Sequence, residues 1–191
     1  GIDEIDRVGY KTVLSKNCFG VSALTDHVLQ GMKDWYTLAP VHSKAYLDSI
    51  AAVKEVLPDV LMVGVFETAF HETIPLERRI YGVPYEWYEQ FGVQRLGYHG
   101  ASHGYIADVL NSYKTKYRAI SCHLGGSGSI CAIKDGKSVD TSFGMSLETG
   151  LIHANRVGDM DPTMVYYLEH VGLSRAEILD GLQKRGGLAG I

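Results

Sequence analysis

At 191 residues with 46% hydrophobic content, the chain is long enough for one or two domains with a buried core and too apolar for a disordered segment. Its 18 Lys and Arg against 22 Asp and Glu give a net charge of −4 without a basic cluster, which argues against nucleic acid or an anionic membrane as partner. No apolar run is long enough to span a bilayer, no leader-like stretch opens the chain, and three cysteines lack metal spacing, so a soluble, non-secreted, cytoplasmic protein is expected.

The opening GIDEID reads as a helix end running into a strand at residues 8–14, VGYKTVL. Thr25-Asp26 predicts the capped start of a helix carrying Val28, Leu29 and Met32. After Pro40, Ser43 is expected to cap a second helix with Leu47, Ile50, Val53 and Leu57 at helical spacing, ended by Pro58. Residues 59–66 form a continuous apolar run, expected to be a strand buried on both faces of a parallel or mixed sheet. A short helix is predicted over Tyr85–Phe91, and Ser102 is expected to cap a helix carrying Ile106, Val109 and Leu110. Residues 118–124, 129–134 and a third strand after Asp135-Gly136 predict an antiparallel meander. Helices follow near 163–170 and after Ser174, where Glu177 completes a capping box and Gly186-Gly187 closes the helix. The order is α/β in two lobes, with residues 1–70 ending the first, 71–117 connecting, and 118–191 beginning the second.

Four stretches offer chemistry. The turn HLGGSGS (residues 123–129) exposes backbone N–H groups suited to phosphate, or is an ordinary Gly-rich hairpin loop. GYHGASHG places His99 and His103 four residues apart, open to a metal, a structural or a catalytic reading, although HxxxH without a zincin glutamate is unspecific. NRVGDMDP sets Arg156 in a Gly/Asp loop, to grip anionic oxygens or to pair with Asp159 or Asp161. Glu67 ends the apolar strand at the edge where α/β sheets bind ligands, or caps a loop.

As an ordered set, LMVGVFETAFHETIP, YGVPYEWYEQFGVQRLGYHGASHGYIA, CHLGGSGSICAIKDGKSVDTSFG and NRVGDMDP resemble the acetate kinase family of carboxylate phosphotransferases, and the likeness continues through LAPVHSKAYLDSI and the closing GLSRAEILDGLQKRGGLAGI. The resemblance implies an actin-like, ribonuclease H-like fold, usually a homodimer, that transfers the γ-phosphoryl of ATP to acetate or a similar small carboxylate with magnesium. It implies that His99 and Arg156 stabilise the moving phosphoryl and that Glu67 stands at the catalytic aspartate. Lys11, Val13, Val41, His42 and Leu147 fall on the acid-binding pocket, and His123, Leu124, Gly125, Gly126 and Ser127 on the ATP phosphate turn. His103 becomes a supporting residue, and no metal ligand is expected within this chain.

Four positions depart from the family pattern: Lys11 for an arginine, Glu67 for an aspartate, Gly126 for an asparagine and Leu147 for a proline. The family's first phosphate loop, its adenosine loops and its magnesium-linked glutamate are expected outside residues 1–191, as if this were the middle of the family's chain, so the isolated chain is expected to be inactive. The alternative reading is a degenerate, non-catalytic module kept for assembly or ligand binding.

Overall fold

Three short strands, β1 (Arg7–Thr12), β2 (Val21–Ala23) and β3 (Leu61–Phe66), form the first sheet in the order β1-β3-β2, with β3 parallel to β1 and antiparallel to β2. The structure is a computed structural model that describes residues 4–16 and 18–191. Of the helix end read over residues 1–6, residues 1–3 lie outside the described residues, and Ile5 and Asp6 belong to no regular element before β1.

Helix α1 (Asp26–Asp34) starts as expected, with the Thr25 side chain accepting from the Val28 amide at 3.4 Å. Helix α2 (Pro40–Val56) begins three residues before the expected Ser43 cap. Proline at the first helical position has a preset φ and no N–H to leave orphaned, so it starts the helix itself, and Ser43 is buried inside the first turn. The two helices cover one face of the sheet through Leu24, Val28, Met32, Ile50, Met62 and Phe66. The other face stays open, with Leu61 42% and Val65 40% exposed, which corrects the expectation of a strand buried on both sides. With both α1 and α2 on one side, β3 alternates in and out like a half-covered strand.

Short helices α3 (Leu76–Arg79) and α4 (Tyr85–Phe91) lead to α5 (Gly100–Tyr113). Its N-cap is His99 in the left-handed conformation (φ 59°), not Ser102, whose Oγ is instead 2.9 Å from His123 Nδ1. The predicted meander is present as β4 (Arg118–Leu124), β5 (Gly128–Lys134) and β6 (Lys137–Thr141), turning through Asp135 and Gly136 at φ 51° and 79°. Ala107 of α5 packs on Cys131 and Ile133 of this second sheet. Helix α6 (Thr163–His170) precedes α7 (Arg175–Gln183), whose Ser174–Glu177 capping box makes both reciprocal bonds.

A second core joins the halves of the chain. Val13, Leu14, Trp35 and Ala39 pack with Leu96, Tyr98, Phe143 and Leu147, so the segment leaving β1 and the loop after β6 are held to the approach to His99.

Candidate active site

Parallel register sets Thr12 beside Phe66, so the carboxyl ends of β1 and β3 deliver Lys11 and Glu67 to one place. The Glu67 amide donates to the Thr12 carbonyl at 2.9 Å, and Lys11 Nζ lies 2.8 Å from Glu67 Oε1. The ammonium stands at ion-pair distance from a buried carboxylate oxygen. The Glu67 side chain is only 9% exposed against 68% for Lys11, and its contact raises the lysine pKa despite partial burial.

From the same strand end the chain reaches His99. The Gly100 amide donates to the Glu67 carbonyl at 2.9 Å, and a Cβ at position 100 would stand 2.3 Å from that oxygen, so only glycine allows this approach. Buried His71 donates from Nε2 to the Tyr98 carbonyl at 2.9 Å and accepts at Nδ1 from the Ser138 hydroxyl, also at 2.9 Å. Those contacts hold the backbone on both sides of His99.

The His99 ring stacks on His123 with centroids 3.9 Å apart and planes 26° from parallel. Its Nδ1 lies 2.8 Å from Ser129 Oγ, which is also 2.8 Å from His103 Nε2; His103 Nδ1 lies 2.9 Å from Ser121 Oγ. Burial, with repulsion from His123, His103, Lys11 and Arg156, pushes His99 down to about 3, and burial pushes His103 down to about 4. Both rings are therefore neutral at neutral pH. The metal reading of this pair finds no support, since serines occupy both nitrogens of His103, and among the described residues no three His, Cys, Asp or Glu side chains gather to hold an ion.

Arg156 sits in the loop before α6, and its Nη1 donates to the Leu147 carbonyl at 2.8 Å. The acids of that loop serve the backbone instead: Asp159 Oδ1 accepts from the Gly150 amide at 2.8 Å and Asp161 Oδ1 from the Thr163 amide at 2.9 Å. The guanidinium opens on a cleft of about 330 Å³ lined by Val41, His42, Leu147, Glu148, Asn155 and Arg156. His42 is driven toward its neutral form by burial first and then by the charges of Arg156 and Lys11. Val41 is 74% exposed on the rim, Leu147 joins the cleft to the core, and Val13 lies in that core.

The hairpin turn is tied to the arginine loop, where the Ala154 amide donates to the Gly126 carbonyl at 3.0 Å. Gly125 donates to the Ser127 carbonyl at 3.2 Å, and among the described residues the amides of Gly126 and Ser127 make no hydrogen bond. Leu124 points to solvent. His153 ties the turn to the arginine loop: its Nδ1 accepts from the Gly128 amide at 3.1 Å, its Nε2 donates to the Thr149 carbonyl at 3.2 Å, and its own amide donates to the Arg156 carbonyl at 3.1 Å.

Comparison with known proteins matches a model of the acetokinase family over residues 2–191. This chain belongs to the acetokinase family. It is 41% identical to an acetate kinase of Shouchella clausii and 42% identical to one of Bacillus subtilis, covering the whole of this chain and 50% of each relative. The solved propionate kinase of Francisella tularensis superposes with a TM-score of 0.91 at 34% identity, and the acetate kinase of Entamoeba histolytica with 0.86 at 32%, each covering 100% of this chain and 50% of the other. The acetokinase chain thus spans about half the length of the relatives it matches, and it has their mixed α/β, actin-like fold.

Several side chains that shape this site are given no role by the motifs: Ser121, Ser129, His71 and His153. A signal for the first two exists in the strand period. Ser121 and His123 alternate on β4, Ser129 and Cys131 on β5, and the register pairs Ser121 with Cys131 and His123 with Ser129, putting all four on the face toward α5. His71 and His153 gain their roles only through contacts distant in sequence.

Proposed function

We propose that this chain carries the acid-binding and phosphoryl-stabilising half of a kinase that transfers the γ-phosphoryl group of ATP to acetate or another short-chain carboxylate, giving an acyl phosphate and ADP. One observation carries the reading: Arg156 and His42 line one cleft, while Lys11 pairs at 2.8 Å with Glu67, whose carbonyl accepts from the amide of Gly100 beside His99. That set suits phosphoryl transfer, in which charge spreads over the equatorial oxygens of phosphorus and positioned donors count for more than a covalent nucleophile.

In this proposal the carboxylate is drawn in by Lys11 and seated against His42, Val41 and Leu147. One of its oxygens forms the new bond to phosphorus as the bond to ADP breaks. His99 and Arg156 donate to the oxygens of the group in transit, while Glu67 holds Lys11 in place. The unengaged amides of Gly126 and Ser127 fit an ATP phosphate at the turn next to His123. Magnesium would neutralise phosphate charge when bound, and the described residues offer it no ligand set of their own. A cytoplasmic homodimer belongs to the same proposal, and light scattering on the purified intact protein checks the dimer.

The test uses the intact gene product that contains this chain, with ATP, magnesium and acetate or propionate, trapping acyl phosphate as its hydroxamate. Turnover is expected with at least one of the two acids, and Arg156→Ala should lower kcat on the order of a hundredfold or more. A folded intact protein that forms no acyl phosphate overturns the reading and favours a non-catalytic module.

A further inference from the structure

Beneath the candidate active site, three hydroxyl–imidazole contacts run in series: Ser121 Oγ to His103 Nδ1 at 2.9 Å, His103 Nε2 to Ser129 Oγ at 2.8 Å, and Ser129 Oγ to His99 Nδ1 at 2.8 Å. Ser121, His103 and Ser129 are all buried. At these distances each contact needs one proton between the two heavy atoms, because two facing lone pairs repel. A serine has one proton to give, and among the described residues neither serine hydroxyl has an acceptor outside this series.

Counting protons then decides the direction. If Ser121 donates to His103 Nδ1, His103 donates from Nε2 to Ser129, and Ser129 donates to His99 Nδ1. Every contact is filled and no hydroxyl proton is left over. Run backwards, with His99 donating from Nδ1, the series ends on Ser121, whose buried hydroxyl proton has nowhere to go. If both imidazoles donate to Ser129, its own proton is the one stranded. A buried donor without an acceptor is the costlier state.

We infer that Ser121, His103 and Ser129 form a one-way hydrogen-bond chain that holds His99 as the Nε2–H tautomer, and that these three are positioning residues for phosphoryl transfer. The series consumes the Nδ1 side of His99, and among the described residues Nε2 has no hydrogen-bond partner, so the ring keeps a neutral N–H to offer. The tautomer assignment stands on geometry alone; its purpose rests on the kinase reading above. The low affinity of both rings for a second proton agrees with neutral tautomers throughout the series.

Long-range 15N–1H correlation spectra of histidine-labelled protein distinguish the two neutral tautomers, with the His99 signals assigned by their loss in His99→Gln. The unsubstituted protein at pH 7 should show His99 protonated on Nε2 alone. Ser129→Ala should turn His99 into a mixture of tautomers, and Ser129→Thr, which keeps the hydroxyl, should return it to one. Protonation on Nδ1 in the unsubstituted protein overturns the inference, and that measurement decides the matter even if the alanine variant does not fold. A tautomer indifferent to Ser129→Ala overturns it as well. In the intact protein, Ser129→Ala should lower kcat about tenfold with KM for the acid little changed. An unchanged kcat beside a shifted tautomer removes the positioning role, whereas absence of turnover in the unsubstituted protein removes the kinase reading and leaves the tautomer assignment in place.

Discussion

The Gly100 amide donates to the Glu67 carbonyl at 2.9 Å, which pins the first turn of α5 to the end of β3 and sets the spacing between the carboxylate of Glu67 and the ring of His99. A methyl group at position 100 would meet the same oxygen at 2.3 Å. Gly100→Ala should therefore force the helix off the strand end and destabilise the fold by about 1–3 kcal/mol, despite alanine's better helix propensity. Urea unfolding monitored by circular dichroism checks this; a stabilised variant would mean that the contact yields without cost.

Lys11 and Glu67 are each other's partners at 2.8 Å. Lys11→Met removes the charge next to a nearly buried carboxylate, but the lysine end is largely in water, which can partly take its place. A loss of about 1 kcal/mol is expected. In a Glu67→Gln background the same substitution should cost less, and that difference in a double-mutant cycle measures the pair directly. Equal costs in the two backgrounds would show that the pair contributes nothing to stability.

Acid should weaken the fold through its buried imidazoles. His71 and His103 bind a proton at about 4 when folded against an ordinary value of 6.5. Between those two values the unfolded chain takes up protons that the folded chain refuses, so stability falls as pH falls. Above 6.5 these groups leave stability flat. Inside the window each contributes a slope of about 1.4 kcal/mol per pH unit. Urea midpoints taken between pH 7 and pH 5, before most carboxylates titrate, should show the decline, and a His71→Asn variant that folds should show a shallower one.

Much of the framework was legible in the sequence because local signals decide it. Thr25, the Ser174–Glu177 box and Asp135-Gly136 act through bonds within a few residues, and each does in the structure what its residue type predicts. The misreadings at Ser43 and Ser102 share a cause. A serine near a helix start is a cap only when nothing else competes, and Pro40 and the His123 ring competed. The residues around Arg156 and His99 were visible as motifs, but Ser129 and His153 act across the hairpin and the arginine loop, where contacts depend on the register of β4 on β5.

A Cβ at Gly126 would meet nothing within 4 Å. Gly126→Asn should leave stability within about 0.5 kcal/mol. In the intact protein it should tighten ATP binding a few-fold, in line with one added hydrogen bond, as calorimetric titration would register. Unchanged affinity would separate this turn from the nucleotide.

His99 occupies a backbone conformation that glycine enters freely and histidine enters at an expense on the order of 1–3 kcal/mol. A His99→Gly variant should hence be sturdier in that respect while losing the imidazole. Thermostabilising libraries would therefore be expected to discard His99 unless turnover is screened alongside melting temperature.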